Sequence, residues 1–186
     1  AVQPYGHRQI ILAQMCSALS FLHHLRVAHR QVTCHRVLLY ERLKETRCPW
    51  VKLGGAGSGR RVGTRPQEET AVEGGQQEDG HSYWQAPEYR LPGAGVEVDV
   101  FAFGAVMVEV MACRKLWVSS MSHLLRPMHR AGARPSLPRI VALAARACSL
   151  TAQERPTCGD LGRGLQLVTE ADLKAGERWF RESLSG

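Results

Sequence analysis

The chain has 186 residues, of which 44% are hydrophobic and 22% charged, so it is long enough for one well-buried core. Its formal net charge of +7 leaves an anionic partner open, but only 6% of residues are aromatic, too few for a surface that stacks single-stranded nucleic acid. Residues 96–113 form the longest apolar stretch, but Glu97, Asp99 and Glu109 within it exclude a membrane span.

The six cysteines are irregularly spaced and lie mostly in apolar segments, where a reduced thiol packs as a small hydrophobic group. Together with an opening that lacks the pattern of a signal peptide, this favours a reducing, cytoplasmic (intracellular) setting. Cys34, His35 and Cys48 could supply ligands for zinc. No CxxC or HxxxH spacing accompanies them, so we expect no metal site.

Residues 8–27 carry apolar side chains every three or four positions, which predicts an amphipathic helix. His23 and His24 near its end suit the negative end of the helix dipole, and we favour this structural role over a catalytic one. Residues 37–40 and 50–53 are short β-prone runs that predict a hairpin with a long loop. Residues 54–80 have almost no large apolar side chains and predict a mobile loop.

Further helices are predicted at residues 96–113, 119–130, 138–149, 158–169 and 171–184. The fold class is therefore mainly α, a helical core with one small β-hairpin placed early and a long mobile segment.

Four motifs occur in a fixed order, and together they resemble the C-terminal lobe of the protein kinase fold. Residues 84–88, WQAPE, resemble the Trp-x-Ala-Pro-Glu motif that closes a kinase activation segment. Residues 98–104, VDVFAFG, resemble the start of the central buried helix. Residues 132–138, GARPSLP, and 154–161, ERPTCGDL, resemble motifs of tyrosine kinases and of the tyrosine-kinase-like group. The hairpin and the QAPE segment also resemble leucine-rich-repeat kinases of the Roco type.

The resemblance implies a structural set, in which Glu88 pairs with Arg155 and Asp99 anchors the backbone of the catalytic loop. A buried carboxylate needs such a partner, and a guanidinium can meet it with two hydrogen bonds. The structural residues that match the family motifs are Ala86, Pro87, Glu88, Asp99 and Arg155.

Residues 29–36 lie where the family has its catalytic loop, His-Arg-Asp-x-x-x-x-Asn. His29 and Arg30 match, but Gln31 replaces the Asp that accepts the substrate proton, and an amide has no useful basicity. Arg36 replaces the Asn that binds magnesium, and it puts a positive charge where the cation would lie. The resemblance therefore implies a degenerate catalytic loop.

The second magnesium motif is degenerate too. In residues 51–57, VKLGGAG, Gly55 stands for the Asp of Asp-Phe-Gly, Ala56 stands for the Phe, and Gly57 is kept. Magnesium prefers oxygen ligands, usually a carboxylate with substrate phosphates. We therefore expect no cofactor, with binding of ATP and magnesium absent or very weak.

By this resemblance, residues 1–170 are the kinase-like lobe, residues 54–88 are its activation segment, and residues 171–186 are a C-terminal helical tail. The glycine-rich phosphate loop, the lysine and the helix glutamate of an upper lobe are not found. The chain is expected to begin at the helix that opens the lower lobe, so the apolar groups at its top, including Val37, Leu38 and Leu53, would be exposed.

Three functions remain open. The first is a pseudokinase that binds a protein partner, with candidate phosphorylation sites at Ser58, Thr64, Thr70 and Ser82. There Arg30 either clamps a phosphate or makes only backbone and loop contacts. The second is residual kinase activity supported by a separate upper lobe. The third is a basic module for a polyanion, although nucleic acid is not expected because no docking motif is found. Its cations would be Lys52, Arg60, Arg61, Arg65, Arg30 and Arg36.

Overall fold

The computed structural model describes residues 5–41, 49–55, 57, 59–63, 84–113 and 137–184. Within these ranges there are five α-helices, four strands and two 3-10 turns, which confirms a mainly helical fold with small sheets. The helices are α1 (Tyr5–His24), α2 (Glu97–Ala112), α3 (Arg139–Ala147), α4 (Cys158–Gln166) and α5 (Glu170–Ser183). The strands are β1 (Val27–Ala28), β2 (Val37–Glu41), β3 (Pro49–Leu53) and β4 (Arg60–Arg61), and the turns are Cys34–Arg36 and Ala152–Glu154.

Helix α2 forms the centre of the core, as its apolar sequence predicts. Nearly all its side chains are buried, and Phe103, Met107 and Met111 are fully so. Helices α1, α3 and α5 pack around it. At Gly104 a Cβ atom would lie only 2.5 Å from the Cys148 sulfur, so the close approach of α3 requires glycine at this position.

Helix α1 buries one apolar stripe, formed by residues such as Leu12, Met15 and Leu19. The predicted end at residue 27 is wrong, because the helix stops at His24. Arg26 adopts a φ of 55°, in the left-handed region, and this turns the chain out of the helix and into β1.

The predicted hairpin is present, with β2 and β3 antiparallel and Val37 paired to Leu53. The free edge of β3 is covered by a side chain of α1. The Gln14 amide donates to the carbonyl oxygen of Pro49 at 2.9 Å and accepts from the amide of Val51 at 2.8 Å. This side chain therefore makes the two hydrogen bonds that a neighbouring strand would make.

A second sheet, which the sequence did not predict, joins β1 to β4 in antiparallel register. The start of the segment predicted to be mobile thus includes a strand. Residues 64–83 and the helix predicted at 119–130 lie outside the described residues. So do Ala56, Cys48, Arg65 and the candidate phosphorylation sites Ser58, Thr64, Thr70 and Ser82.

The predicted C-terminal tail forms helix α5, which packs into the same core through Leu173 and Phe180. Arg8 of α1 and Glu177 of α5 form a buried ion pair at 2.8 Å. The helix is therefore attached to the rest of the fold by apolar packing and by a charged contact. Among the described residues, no helix has the length and apolar character needed to cross a bilayer.

Candidate functional site

The backbone of the loop that begins at His29 is anchored by the carboxylate of Asp99, at the start of α2. Asp99 is fully buried. Its two oxygens accept hydrogen bonds from the amides of His29 at 2.6 Å and Arg30 at 2.7 Å. The first turn of the central helix thus fixes the start of the loop.

A third group, His23, meets the same carboxylate. Its Nε2 atom lies 2.9 Å from Oδ2 of Asp99, which links the last turn of α1 to α2. For His23 the sequence predicts only a favourable interaction with the helix dipole. No local signal could have revealed Asp99, because it lies 76 residues away in the sequence.

Arg30 is held by Tyr89, just after Glu88 in the sequence. Its Nη2 donates to the carbonyl oxygen of Tyr89 at 2.7 Å, and its guanidinium lies 4.5 Å from the centre of the Tyr89 ring. The Tyr89 hydroxyl donates in return to the carbonyl oxygen of Arg30 at 3.0 Å. These contacts match the alternative in which Arg30 makes backbone and loop contacts.

His29 is buried, and its Nδ1 accepts a hydrogen bond from the backbone amide of Gln31 at 3.3 Å. Burial lowers the pKa of His29, the nearby charge of Arg36 lowers it further, and Asp99 only partly opposes them. The imidazole is therefore neutral at pH 7. Gln31 is half-buried and supplies an amide where a base would be needed.

Arg36 lies against Gly55, which brings the two degenerate motifs together. A Cβ atom at Gly55 would lie 3.1 Å from Cδ of Arg36, 3.2 Å from Nε and 3.5 Å from Cζ. Gly55 also has a φ of 88°, which side chains rarely adopt. The Arg36 side chain thus fills the space beside residue 55, where the family carries a carboxylate.

Glu88 and Arg155 form the ion pair that the resemblance implied. The Arg155 guanidinium donates to both oxygens of Glu88, at 2.5 and 2.9 Å, and also to the carbonyl oxygens of Glu97 and Ser149. Burial of Glu88 raises its pKa, but the bonds from Arg155 outweigh this and the net shift is downward. Ala86 is buried and Pro87 exposed in the same segment.

The family model for protein tyrosine and serine/threonine kinases matches residues 5–165 of this chain. The chain belongs to the protein kinase family. The L-type lectin-domain containing receptor kinase VIII.1 of Arabidopsis thaliana is 34% identical over 116 residues, covering 60% of this chain and 15% of that protein. Receptor kinase VIII.2 of the same type and organism is 32% identical over 139 residues, covering 72% of this chain and 17% of that protein. The chain thus spans less than a fifth of the length of these curated relatives.

At the positions where the family carries its base and its magnesium ligands, this kinase domain has other side chains. Gln31 offers a neutral amide, Arg36 a cation, and Gly55 no side chain at all, whereas magnesium is usually held by one or two carboxylates together with substrate phosphates. Among the described residues, no group of three or more His, Cys, Asp or Glu side chains is placed to hold a metal.

The top of the kinase domain exposes apolar side chains of the β2–β3 hairpin. Leu38 is 57% exposed, whereas Val37 and Leu53 are half-buried and pack against the core. The expected exposure therefore holds for Leu38 but not for Val37 or Leu53, and the neighbouring Leu39 is also 47% exposed. Lys52 lies on this hairpin, with its ammonium 5.1 Å from the centre of the Tyr40 ring.

Proposed function

We propose that this kinase domain does not transfer phosphate and acts as a pseudokinase, a module that works by binding a protein partner. The observation that carries the proposal is the contact between Arg36 and Gly55. It puts a fixed cation where an active kinase needs a carboxylate and a divalent metal ion. Binding of ATP with magnesium is accordingly expected to be absent or very weak.

The neutral amide of Gln31 supports the same proposal. A missing general base costs about 10²- to 10⁴-fold in rate, and the loss of both metal ligands adds to this. His29 does not replace the base, since its imidazole is buried and its Nδ1 already accepts a hydrogen bond from the backbone amide of Gln31. Residual kinase activity would therefore need groups from outside the described residues.

The motifs at residues 132–138 and 154–161 support placing the domain in the tyrosine-kinase-like group. A closer relation to Roco-type kinases rests on the hairpin and the QAPE segment alone. The thiols of Cys16 and Cys158, which are buried and form no disulfide among the described residues, support a reducing, intracellular setting.

The test of the proposal is nucleotide binding, measured by thermal shift with ATP in the presence and absence of magnesium. We expect no change in melting temperature in either condition. A magnesium-dependent rise would contradict the proposal, because a ligand that binds the native state stabilises it.

A second assay measures phosphate transfer by this domain when it is joined to the upper lobe of an active kinase. The matched variant carries Gln31→Asp, Arg36→Asn and Gly55→Asp together. We expect transfer only from that variant. Magnesium-dependent transfer from the unchanged domain, lost on substitution of Gln31 or Arg36, would overturn the pseudokinase assignment.

A further inference from the structure

Three arginines are gathered on the small sheet formed by β1 and β4. Arg60 and Arg61 form β4 itself, opposite the two residues of β1, and Arg26 lies one residue before β1. The amide of Val62 donates to the carbonyl oxygen of Arg26 at 2.8 Å, which continues the pairing past the end of the strands. Backbone hydrogen bonds therefore hold three exposed arginines at neighbouring backbone positions of one small sheet.

The charge of these arginines is not balanced within the part of the chain that the structure describes. No ion pair there includes Arg26, Arg60 or Arg61. His24, the last residue of α1, is exposed two residues before Arg26. We call Arg26, Arg60 and Arg61 the cationic edge. Like charges on neighbouring residues repel one another, and an anionic partner would remove the repulsion.

A cavity of about 820 Å³ opens beside the cationic edge. His24 and Arg26 line one part of it, together with Val62, and the segment at residues 91–97 lines another. That segment presents Leu91, which is 62% exposed, along with proline, alanine and valine side chains. The lining also contains two carboxylates, Glu88, which is bonded to Arg155, and Glu97.

We infer that the cationic edge and this cavity bind a short acidic segment of a partner protein that also carries an apolar side chain. Carboxylates of the segment pair with Arg26, Arg60 and Arg61, and the apolar side chain enters the cavity and contacts Leu91. The inference rests on the proposed function, since it gives a chemistry to the protein partner of the pseudokinase.

The apolar lining favours a peptide over other polyanions. Nucleic acid and anionic membranes would also be attracted by the charge. A phosphodiester backbone, however, has no aliphatic group to bury beside Leu91, whereas a leucine or isoleucine side chain gains from leaving water there. The cations that the sequence suggests for a polyanion site do not lie together in the structure, because Lys52 lies on the other sheet and Arg30 is held by Tyr89.

The experiment measures fluorescence anisotropy of a labelled peptide that alternates Glu and Leu, titrated with the full 186-residue chain. We expect saturable binding that weakens as salt is raised. Charge reversal of Arg26→Glu with Arg61→Glu should weaken it about tenfold or more, and Leu91→Ser about fivefold. These side chains are exposed, so the melting temperatures of the variants should match that of the unchanged chain.

The matched control is Arg146→Glu with Arg178→Glu, an equal change of charge at exposed positions of α3 and α5. It should leave the affinity for the peptide within about twofold of the original value. A loss as large as that of the edge variants would overturn the inference, because binding would then follow net charge alone. Equal binding of a peptide that alternates Glu and Ser would overturn the role of the cavity.

Two further probes test the class of partner. Binding of heparin or of phosphatidylserine vesicles without binding of the Glu-Leu peptide would overturn the inference in favour of another polyanion. Peptide binding is read independently of phosphate transfer. If the domain transferred phosphate and still bound the peptide at this edge, the proposed function would fail and the site would stand.

Discussion

Arg36 and Gly55 depend on each other at the level of single residues. A Cβ atom at residue 55 would press on the Arg36 side chain, and the positive φ of Gly55 disfavours any other residue. Replacing one of the two with the residue that active kinases carry therefore disturbs the other. A carboxylate introduced at position 55 alone would face Arg36 and pair with it before it could meet a metal ion.

The coupling can be measured with Gly55→Ala, compared with Gly93→Ala. Gly93 has a similar φ of 77° but no atom within 4 Å of its Cβ position, so it reports backbone strain alone. We expect Gly93→Ala to lower the free energy of unfolding by about 1 to 3 kcal/mol, and Gly55→Ala to lower it further. The excess should disappear in an Arg36→Ala background when unfolding is followed in urea. An excess that persisted there would refute the contact.

Glu88 gives stability a defined dependence on pH. Its pKa in the folded protein lies below the ordinary 4.5, so its contribution is fully present above pH 4.5 and is lost as pH falls through the lowered pKa. As pH falls from neutral to acid, the original chain should lose the unfolding free energy that Glu88 contributes. The Glu88→Gln variant should not show this part of the loss. Glu177 has a lowered pKa as well, so Glu177→Gln is the matched comparison. Identical acid profiles for Glu88→Gln and the original chain would contradict the prediction.

At the level of elements, the buried pair between Arg8 and Glu177 joins the first helix to the last. Arg8→Ala leaves the Glu177 carboxylate without this partner, and breaking a buried pair costs about 3 to 5 kcal/mol. Arg181, which is exposed to solvent, also forms an ion pair with Glu177 at 2.7 Å. This second pair will offset part of the cost. We therefore expect urea denaturation to give a loss near the lower end of that range.

The control for this pair is Arg178→Ala, at an exposed position of the same helix. It should change the free energy of unfolding by no more than about 0.5 kcal/mol. If Arg8→Ala were equally mild, the charged contact would contribute nothing to holding α5 in place.

The elements also show where a sequence is informative. The apolar periodicity of α1 and the long apolar run of α2 predicted both helices, because many side chains in each segment indicate the same element. The two-residue strands β1 and β4 have no periodicity, and their pairing depends on residues more than 30 apart in the sequence. The order of the motifs likewise predicted the pair of Glu88 and Arg155. The contact of His23 with Asp99 and that of Arg36 with Gly55 could be identified only from the folded structure.

At the scale of the whole fold, burial separates the thiols of the core from the exposed thiol of Cys113. Cys16 and Cys148 are fully buried, and burial raises the pKa of each to about 12. Cys113 is exposed at the end of α2. We expect Cys113 to react with a thiol reagent at neutral pH in the native protein, while Cys16 and Cys148 react only after unfolding. Mass spectrometry of the labelled chain, with Cys113→Ser as the control, checks this order.

Rapid labelling of Cys16 or Cys148 under native conditions would mean that the core opens far more readily than its packing suggests. Such opening would affect the packing of the whole lobe, because Cys148 packs against Gly104 of the central helix.

Gln14 has a consequence for how this molecule behaves among its own copies. An uncovered strand edge is a template on which another chain can add a strand, the first step towards ordered aggregates. By occupying the backbone groups of Pro49 and Val51, one amide side chain closes that edge without adding a strand of its own. The β3 edge of a hairpin that exposes leucine and tryptophan side chains is thus closed to the addition of a further strand, because a helix side chain covers it.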